Sequence, residues 1–453
     1  MSSGSPDSPI RRAHIVGLGR SGLAAAQLLL KRKWELVVSD DADSDELRKS
    51  ALELSSQGIK VHLGGHGEAL KQPVELAVTS PGVSWMAPML EQRRQEGVEV
   101  ISELELGWRH CRGKAAAVTG SNGKTTTTTL LGEIFKRSGR PGFTCGNIGT
   151  PLSAVADETT DDSLLTVEVS SYQLEGIVSF HPSVGVLLNI TPDHLDRHGD
   201  LAGYARAKAR LWRNQTGSDW LVYFADDPIV GGLVDEAPSR KFPFSIREHL
   251  EVGAWVENDE LVVKTPAGEF RMPRSSFRMP GRHNSANALA AISAALLMGV
   301  EERAIRAAVT EFEGIPHRLE LVREFDRVLW INDSKATNVD AGRWAVESVE
   351  RPIILIAGGR AKGGGFRDLR DIAAGRLKRL ILIGEAASDI RQDLGDLAPV
   401  EMANSLDQAV TLARKSAAPG DAVLLSPLCA SFDMFRNYED RGEQFKQLVI
   451  NLK

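Results

Sequence analysis

A chain of 453 residues, 42% apolar and 25% charged, is long enough for roughly three globular domains of about 150 residues each. Its net charge of −6, with no basic run, leaves no nucleic-acid footprint, and no stretch of about eighteen apolar residues marks a membrane helix. Cys111, Cys145 and Cys429, odd in number and far apart, predict reduced thiols and a cytoplasmic protein.

The first segment, MSSGSPDSPIRR, is polar and reads as a frayed terminus, not a secretory leader. From Ala13, short apolar runs alternate with helix-period segments: HIVGLG, RSGLAAAQLLLKRK, ELVVSD and, further on, VELAVTSPG. That alternation predicts a parallel α/β sheet. Residues 17–22 read GLGRSG, with Gly17, Gly19 and Gly22 interleaved with Leu18, Arg20 and Ser21. Asp40 closes the next strand, where a ribose-binding acid belongs. The same loop can seat any diphosphate at a helix N-terminus, or serve strand–helix packing alone. A second glycine turn, TSPG, brings Ser80 and Gly82 to what should be the same carboxyl edge of the sheet.

A second series starts at Ala115 and includes LLTVEVSS and VGVLLNIT. Its opening, AAVTGSNGKTTTTT, runs an apolar strand ending at Thr119 into a phosphate loop. Gly120 and Gly123, flanking Ser121 and Asn122, let backbone N–H groups converge on an anion. Lys124 supplies a charge for the β- and γ-phosphates, and the hydroxyl of Thr125 can ligate Mg²⁺. Val118 stands where the longer Walker pattern has its first glycine, so this is the shorter GxxGK(S/T) form. Threonines open a helix poorly, which predicts a side-chain role for the start of the run, Thr125 and Thr126. Glu168 lies inside an apolar β-run; a buried, unpaired carboxylate is costly, so it needs a metal or an ion-pair partner. Asp193, His194 and Asp196, in NITPDHLDRH, suit a second metal or phosphate site, although capping alone accounts for Asp193. Lys208, in YARAKARLW, reads as a plain surface lysine.

GRHNSANALAAISAALLMG predicts an amphipathic helix with Asn and Ser at its start. A third series follows: RVLWINDS, IILIAGG, RLILIG and DAVLLSP. Asp333, Ser334 and Lys335 follow one strand, Lys362 lies in AGGRAKGGG after the next, and Ser431 and Phe432 follow VLLSPLCA. Residues at the carboxyl ends of parallel strands converge on a crevice, so two lysines and a serine predict an anionic substrate. GGRAKGGG could instead be only a mobile loop. HRLE at His317–Glu320 lies where a hinge could carry a cation onto a nucleotide. Polar or Gly/Pro-bearing stretches at Arg112–Lys114 and Gly314–Pro316 give expected domains of 1–112, 113–314 and 315–453.

Together IVGLGRSG, TSPG, TGSNGKTT, GNIGTP, VEVSSYQLE, LNITPDHLDRH, the lysine of YARAKARLW, GRHNSANALAA, GIPHRLE, NDSKATN, AGGRAKGG and SPLCASFDMFRNYEDRG make the chain resemble the ATP-dependent Mur ligases from about Ile15 to about Phe445. The resemblance implies an α/β fold of three domains. A Rossmann-like N-terminal domain would bind a UDP-linked precursor, a P-loop central domain ATP, and a Rossmann-like C-terminal domain an amino acid. The N-terminal GxGxxG and the SPLCASFDMF stretch imply the branch that joins D-glutamate to UDP-N-acetylmuramoyl-L-alanine through an acyl phosphate, and a monomer is expected. By the match, Thr125 and Glu168 hold one Mg²⁺, and His194 with Lys208, carbamylated by CO₂, holds another. Asn147 and Ser170 would line the reaction centre. Asn284 would contact adenine, and Arg318 and Asp333 other parts of the nucleotide. Lys335, Thr337, Lys362, Ser431, Phe432 and Tyr438 would hold D-glutamate. Arg360 departs from the pattern at a position acidic in some relatives.

Two other functions fit parts of the chain. A nucleotide-driven switch would use the phosphate loop but needs no anionic co-substrate pocket, and an NAD-linked dehydrogenase rests on GLGRSG alone.

Overall fold

A computed structural model describes residues 11–279, 281–361 and 365–452, apart from the side chains of Asp196 and Asp340. The expectations for Lys362 and for the first ten residues therefore lie outside the described residues. Two compact units divide the chain: one runs to Ser276 and includes Ala286–Glu311, the other comprises Phe277–Ser285 and the chain from Phe312 onward.

The first unit holds two sheets. In the first sheet, β1 (Arg12–Val16), β2 (Glu35–Asp40), β3 (Lys60–Leu63), β4 (Leu76–Thr79) and β5 (Glu99–Ser102) lie parallel in the order β3-β2-β1-β4-β5. The order reverses between β1 and β4, the place where such sheets open a crevice, and both glycine turns lie there. The helix Arg20–Lys31 buries Ala24, Ala25, Ala26, Leu28 and Leu29 against this sheet. Its close approach demands Gly22, where a Cβ would lie 1.8 Å from the carbonyl oxygen of Gly17.

The second sheet comprises β6 (Lys114–Thr119), β7 (Gly142–Gly146), β8 (Leu164–Glu168), β9 (Val184–Leu187), β10 (Trp220–Phe224), β11 (Arg240–Phe244), β12 (Gly253–Glu257), β13 (Glu260–Thr265) and β14 (Gly268–Pro273). Its order is β14-β13-β12-β11-β10-β9-β6-β8-β7, parallel except for the antiparallel pairs β12–β13 and β13–β14. This meander has no counterpart in the sequence reading. Asn258 and Asp259 turn its first hairpin with φ of 49° and 60°, the left-handed pair that a two-residue turn requires.

One sequence expectation fails here. The helix Arg282–Leu297 is not amphipathic: Asn284–Ala295 are all buried, and a helix apolar around its whole circumference belongs inside the protein. Its run of alanines, apolar but small, lets neighbours approach on every side.

The second unit contains β15 (Glu320–Phe325), β16 (Val328–Asn332), β17 (Ile353–Gly358), β18 (Leu377–Ile383), β19 (Val400–Met402) and β20 (Ala422–Leu425). They run in the order β15-β16-β20-β17-β18-β19, with only β15 antiparallel. Separate apolar cores cover its two faces, one around Leu355, Leu382 and Leu424, the other around Trp330, Ile356 and Phe445, as a sheet buried on both sides requires. The three cysteines are free. Among the described residues no helix is long and apolar enough to cross a membrane.

Candidate active site

β6 ends in the phosphate loop. Gly120 (φ 149°) and Gly123 (φ 83°) take conformations that side chains resist. Ser121 N donates to Asn189 O (2.7 Å) and Asn122 N to Asn189 Oδ1 (2.8 Å), which pins the loop to the segment after β9. The helix Lys124–Arg137 starts at the loop, so its N-terminal N–H groups and the Lys124 ammonium make a seat for an anion. Lys124 Nζ donates to Gly120 O and Ser121 O, both at 2.7 Å. Thr125 stays half-buried beside the loop, whereas Thr126–Thr128 turn into the protein and Thr127 Oγ1 meets Asn287 Oδ1 at 3.3 Å.

β8 pairs with β6 so that Glu168 lies beside Val118. Glu168 is 2% exposed; its Oε1 accepts from Asn147 Nδ2 at 2.9 Å, and its Oε2 is buried with no hydrogen-bond partner. A buried carboxylate oxygen left unmatched is a seat for a cation. Hard oxygen donors of this kind suit Mg²⁺, which keeps water and phosphate oxygens in its shell and does not require a cage built entirely by the protein. No cluster of three or more His, Cys, Asp or Glu side chains that could hold a metal exists among the described residues. The Glu168 oxygen therefore fits a cation whose shell substrate and water complete. Ser170 caps the helix Ser171–Glu175, its Oγ accepting from Gln173 N at 3.2 Å.

Lys208 corrects the sequence reading of a surface lysine. It is 1% exposed, donates to Gly120 O at 2.7 Å and lies 4.4 Å over the Tyr204 ring. Burial first, then the charge of Lys124, holds its pKa well below that of an ordinary lysine. A signal did exist: Tyr204, Ala205, Leu211 and Trp212 are buried, and at helical spacing they share a face with position 208. His194 takes a left-handed conformation (φ 54°), with Nε2 3.4 Å from Asp193 Oδ2 and its ring 5.0 Å from that of Tyr172. The helix Leu195–His198 starts from His194 with no side-chain cap, so Asp193 does not cap it, and the next helix, Leu201–Ala209, is capped by Asp200, which accepts from Gly203 N at 2.6 Å. The side chain of Asp196 is not among those described.

A cavity of about 830 Å³ runs from the first sheet's glycine turns to the second sheet. Gly17, Gly19, Arg20, Ser21, Asp40, Ser80 and Gly82 line one part, and Asn147, which holds Glu168, lines another. Leu18 is buried, and its N–H donates to Asp40 Oδ2 at 2.7 Å while Asp40 Oδ1 accepts from Ala42 N at 2.9 Å. Asp40 thus shapes the glycine turn as well as facing the cavity. Ser80 Oγ donates to Gly17 O (2.9 Å) and ties the two turns together. Arg197, missed in sequence, donates to Pro81 O (3.2 Å), Val83 O (3.1 Å) and Glu175 Oε2 (2.6 Å), with its guanidinium 3.8 Å over Tyr172.

In the second unit, Asp333 is buried at the end of β16, accepting from Ser426 Oγ (2.9 Å) and Leu319 N (3.1 Å). Burial raises its pKa to about 7, against the opposing pull of Ser426 and Arg318. Arg318 sits between His317 (φ 64°) and Leu319 (φ 44°), and its Nε is buried without a hydrogen-bond partner. Lys335 N donates to His317 O at 3.0 Å, Thr337 N donates to Lys335 O at 2.9 Å, and Lys335 Nζ lies 5.5 Å from the Tyr438 ring centre. Ser431 is buried and Phe432 63% exposed at the far end of β20. Arg441, also missed, is buried and donates to Ser334 Oγ (2.9 Å) and Ser334 O (2.8 Å). Arg360 pairs with Glu385 at 2.9 Å. Asn284 is buried in the first turn of the helix Arg282–Leu297.

A phosphate loop beside an unmatched carboxylate and a buried lysine, in the same unit as a second nucleotide-type sheet whose cavity reaches Asn147, is the build of an enzyme that spends a nucleoside triphosphate on a second substrate. The comparisons agree. Residues 11–102 match the Mur ligase MurD-like N-terminal domain, 118–295 the Mur ligase middle domain, and 317–429 the Mur ligase glutamate ligase domain. The UDP-N-acetylmuramoylalanine–D-glutamate ligase of Acidobacterium capsulatum is 45% identical, covering 97% of this chain and 96% of its own. That of Pelotomaculum thermopropionicum is 43% identical over 98% of each. The solved UDP-N-acetylmuramate–alanine ligase of Thermotoga maritima shares the fold, with a TM-score of 0.58 at 18% identity, covering 98% of this chain and 100% of that one. The chain belongs to the Mur ligase family, and is an ATP-dependent ligase.

Proposed function

We propose that this ligase joins D-glutamate to UDP-N-acetylmuramoyl-L-alanine in the cytoplasm, as a monomer, for peptidoglycan synthesis. The observation that carries the reading is the cavity leading from the diphosphate-type glycine turn to Asn147, the residue that bonds Glu168. In this reading residues 1–112 bind the UDP-precursor, 113–314 ATP, and 315–453 the amino acid.

The precursor carboxylate attacks the γ-phosphate of ATP, ADP leaves, and the D-glutamate amine displaces phosphate from the resulting acyl phosphate. A carboxylate and a triphosphate repel, so the chain must align them and neutralise their charge. Lys124 turns from its loop carbonyls to the phosphates. Thr125 and Glu168 would hold one Mg²⁺, and His194 with a carbamylated Lys208 a second. The ions would supply charge neutralisation at the reacting oxygens. Burial, which lowers the Lys208 pKa, favours the unprotonated amine that adding CO₂ requires. Asn147 keeps Glu168 oriented, and Ser170 holds its neighbouring turn. Asn284, Arg318 and Asp333 would face the nucleotide. Lys335, Thr337, Lys362, Ser431, Phe432 and Tyr438 would hold the amino acid, with the lysines on its carboxylates.

Phosphate release measured with each candidate amino acid tests the reading. Turnover should require both the UDP-precursor and D-glutamate. Equal turnover with L-glutamate or L-alanine, or ATP hydrolysis indifferent to any amino acid, would refute it.

A further inference from the structure

Behind the glycine turns, a line of polar side chains crosses the interior of the first sheet. Arg93 Nε donates to His14 Nδ1 at 3.4 Å, and His14 Nε2 lies 2.7 Å from Ser39 Oγ. Ser39 Oγ lies 2.7 Å from His66 Nδ1, and His66 Nε2 lies 3.2 Å from Asp41 Oδ1. His14, Ser39 and Arg93 are buried. Asp41, its side chain 76% exposed, lines the 830 Å³ cavity together with His66.

The direction of every hydrogen in this line follows from its chemistry. A guanidinium has donors only, so His14 Nδ1 accepts. Burial, then the charge of Arg93, pushes the His14 pKa down to about 3, so its ring is neutral and its one N–H is at Nε2, aimed at Ser39. The Ser39 hydroxyl is buried between the two imidazoles, and must donate to one of them or leave its hydrogen unmatched. His14 Nε2 already carries a hydrogen, so Ser39 donates to His66 Nδ1. His66 therefore bears its hydrogen on Nε2 and donates it to Asp41.

We propose that His66 is a positioning residue of the sugar-nucleotide cavity. Held by Ser39 as the Nε2–H tautomer, it aims the Asp41 carboxylate as an acceptor for a donor group of the nucleoside. This rests on the cavity being the seat of the UDP-precursor. Asp41 is otherwise an exposed side chain with free rotamers, and a fixed donor behind it removes that freedom before the ligand arrives.

Nitrogen-15 NMR of the imidazoles in the full chain reads the tautomer directly, and His66 should show Nε2–H in the wild type and a mixture in Ser39→Ala. Ser39→Ala and His66→Phe should raise KM for UDP-N-acetylmuramoyl-L-alanine roughly three- to tenfold, the scale of one hydrogen bond. The KM values for ATP and D-glutamate, and kcat, should hold. His66→Gln, which keeps an N–H for Asp41, should stay near wild type. An Nδ1–H tautomer in the wild type, or an unchanged precursor KM in both Ser39→Ala and His66→Phe, overturns the proposal. Gly19→Val separates the two failures, because its side chain enters open space in the cavity. If Gly19→Val also leaves precursor binding intact, the cavity is not the precursor's seat and the functional reading fails first.

Discussion

Lys208 and Lys124 donate to the same carbonyl oxygen, Gly120 O, each at 2.7 Å. Burial first, and then the Lys124 charge beside it, lower the Lys208 pKa and so favour its unprotonated form. A free amine is what CO₂ requires. Lys208→Ala should lower kcat on the order of 10²-fold or more, the range for losing one preorganised electrostatic group. Formate or acetate, standing in for the lost carboxylate, should restore part of it. Phosphate release with and without the added acid is the measurement, and no restoration would remove the carbamate from the mechanism. Glu168 was legible in sequence because an acid inside an apolar strand is conspicuous. Lys208 was not, because lysine is common on helix surfaces, and only the apolar neighbours one turn away betray its side. Arg197 and Arg441 had no local signal, since their partners lie far off in sequence.

Among elements, the glycine turns show how conformation and packing divide their demands. At Gly22 an added Cβ meets Gly17 backbone at 1.8 Å, whereas at Gly19 nothing lies within 4 Å. Gly22→Ala should destabilise the protein by about 1–3 kcal/mol, as overpacking does, while Gly19→Ala should leave stability nearly unchanged. Denaturant unfolding of the two variants decides, and equal midpoints would refute the packing role. The central parallel strands β1, β2, β4, β6, β8, β9, β16, β17, β18 and β20 are readable because each is a short apolar run between helix-period segments, whereas β3, β5, β7, β10, β11 and β19, also parallel, carry no such signal in the sequence analysis. β12–β14 and β15 carry charged residues among the apolar ones, with no helix separating β12, β13 and β14 or β15 from β16, and β14 and β15 lie at sheet edges. The helix Arg282–Leu297 departs from the amphipathic expectation at the other extreme, since the Asn284 and Ser285 at its start are buried along with Asn287 and Ser293.

For the molecule as a whole, the question is how a seat for one substrate is kept in register with a seat for another. Within the first unit, Arg197 grips the turn Pro81–Val83, which lines the cavity, and Glu175, while its own chain segment carries His194. A planar fork with several donors suits three acceptors in a way that a lysine does not. Arg197→Ala should reduce kcat/KM for the precursor by on the order of 10²-fold, the scale of a displacement near 1 Å at a reacting centre, and Arg197→Lys should recover little. Steady-state kinetics varying the precursor tests this, and an unchanged kcat/KM would show the two loops to be independent.

The resting posture of Lys124 has a consequence for nucleotide affinity. Its ammonium already has two carbonyl partners, so an arriving triphosphate competes with bonds inside the protein and gains only the difference between the two sets. Affinity is thereby moderated, and ADP, which offers that ammonium fewer oxygens, has the weaker claim on it. A loop of this build would capture the nucleotide and, by the same competition, ease the departure of the spent one.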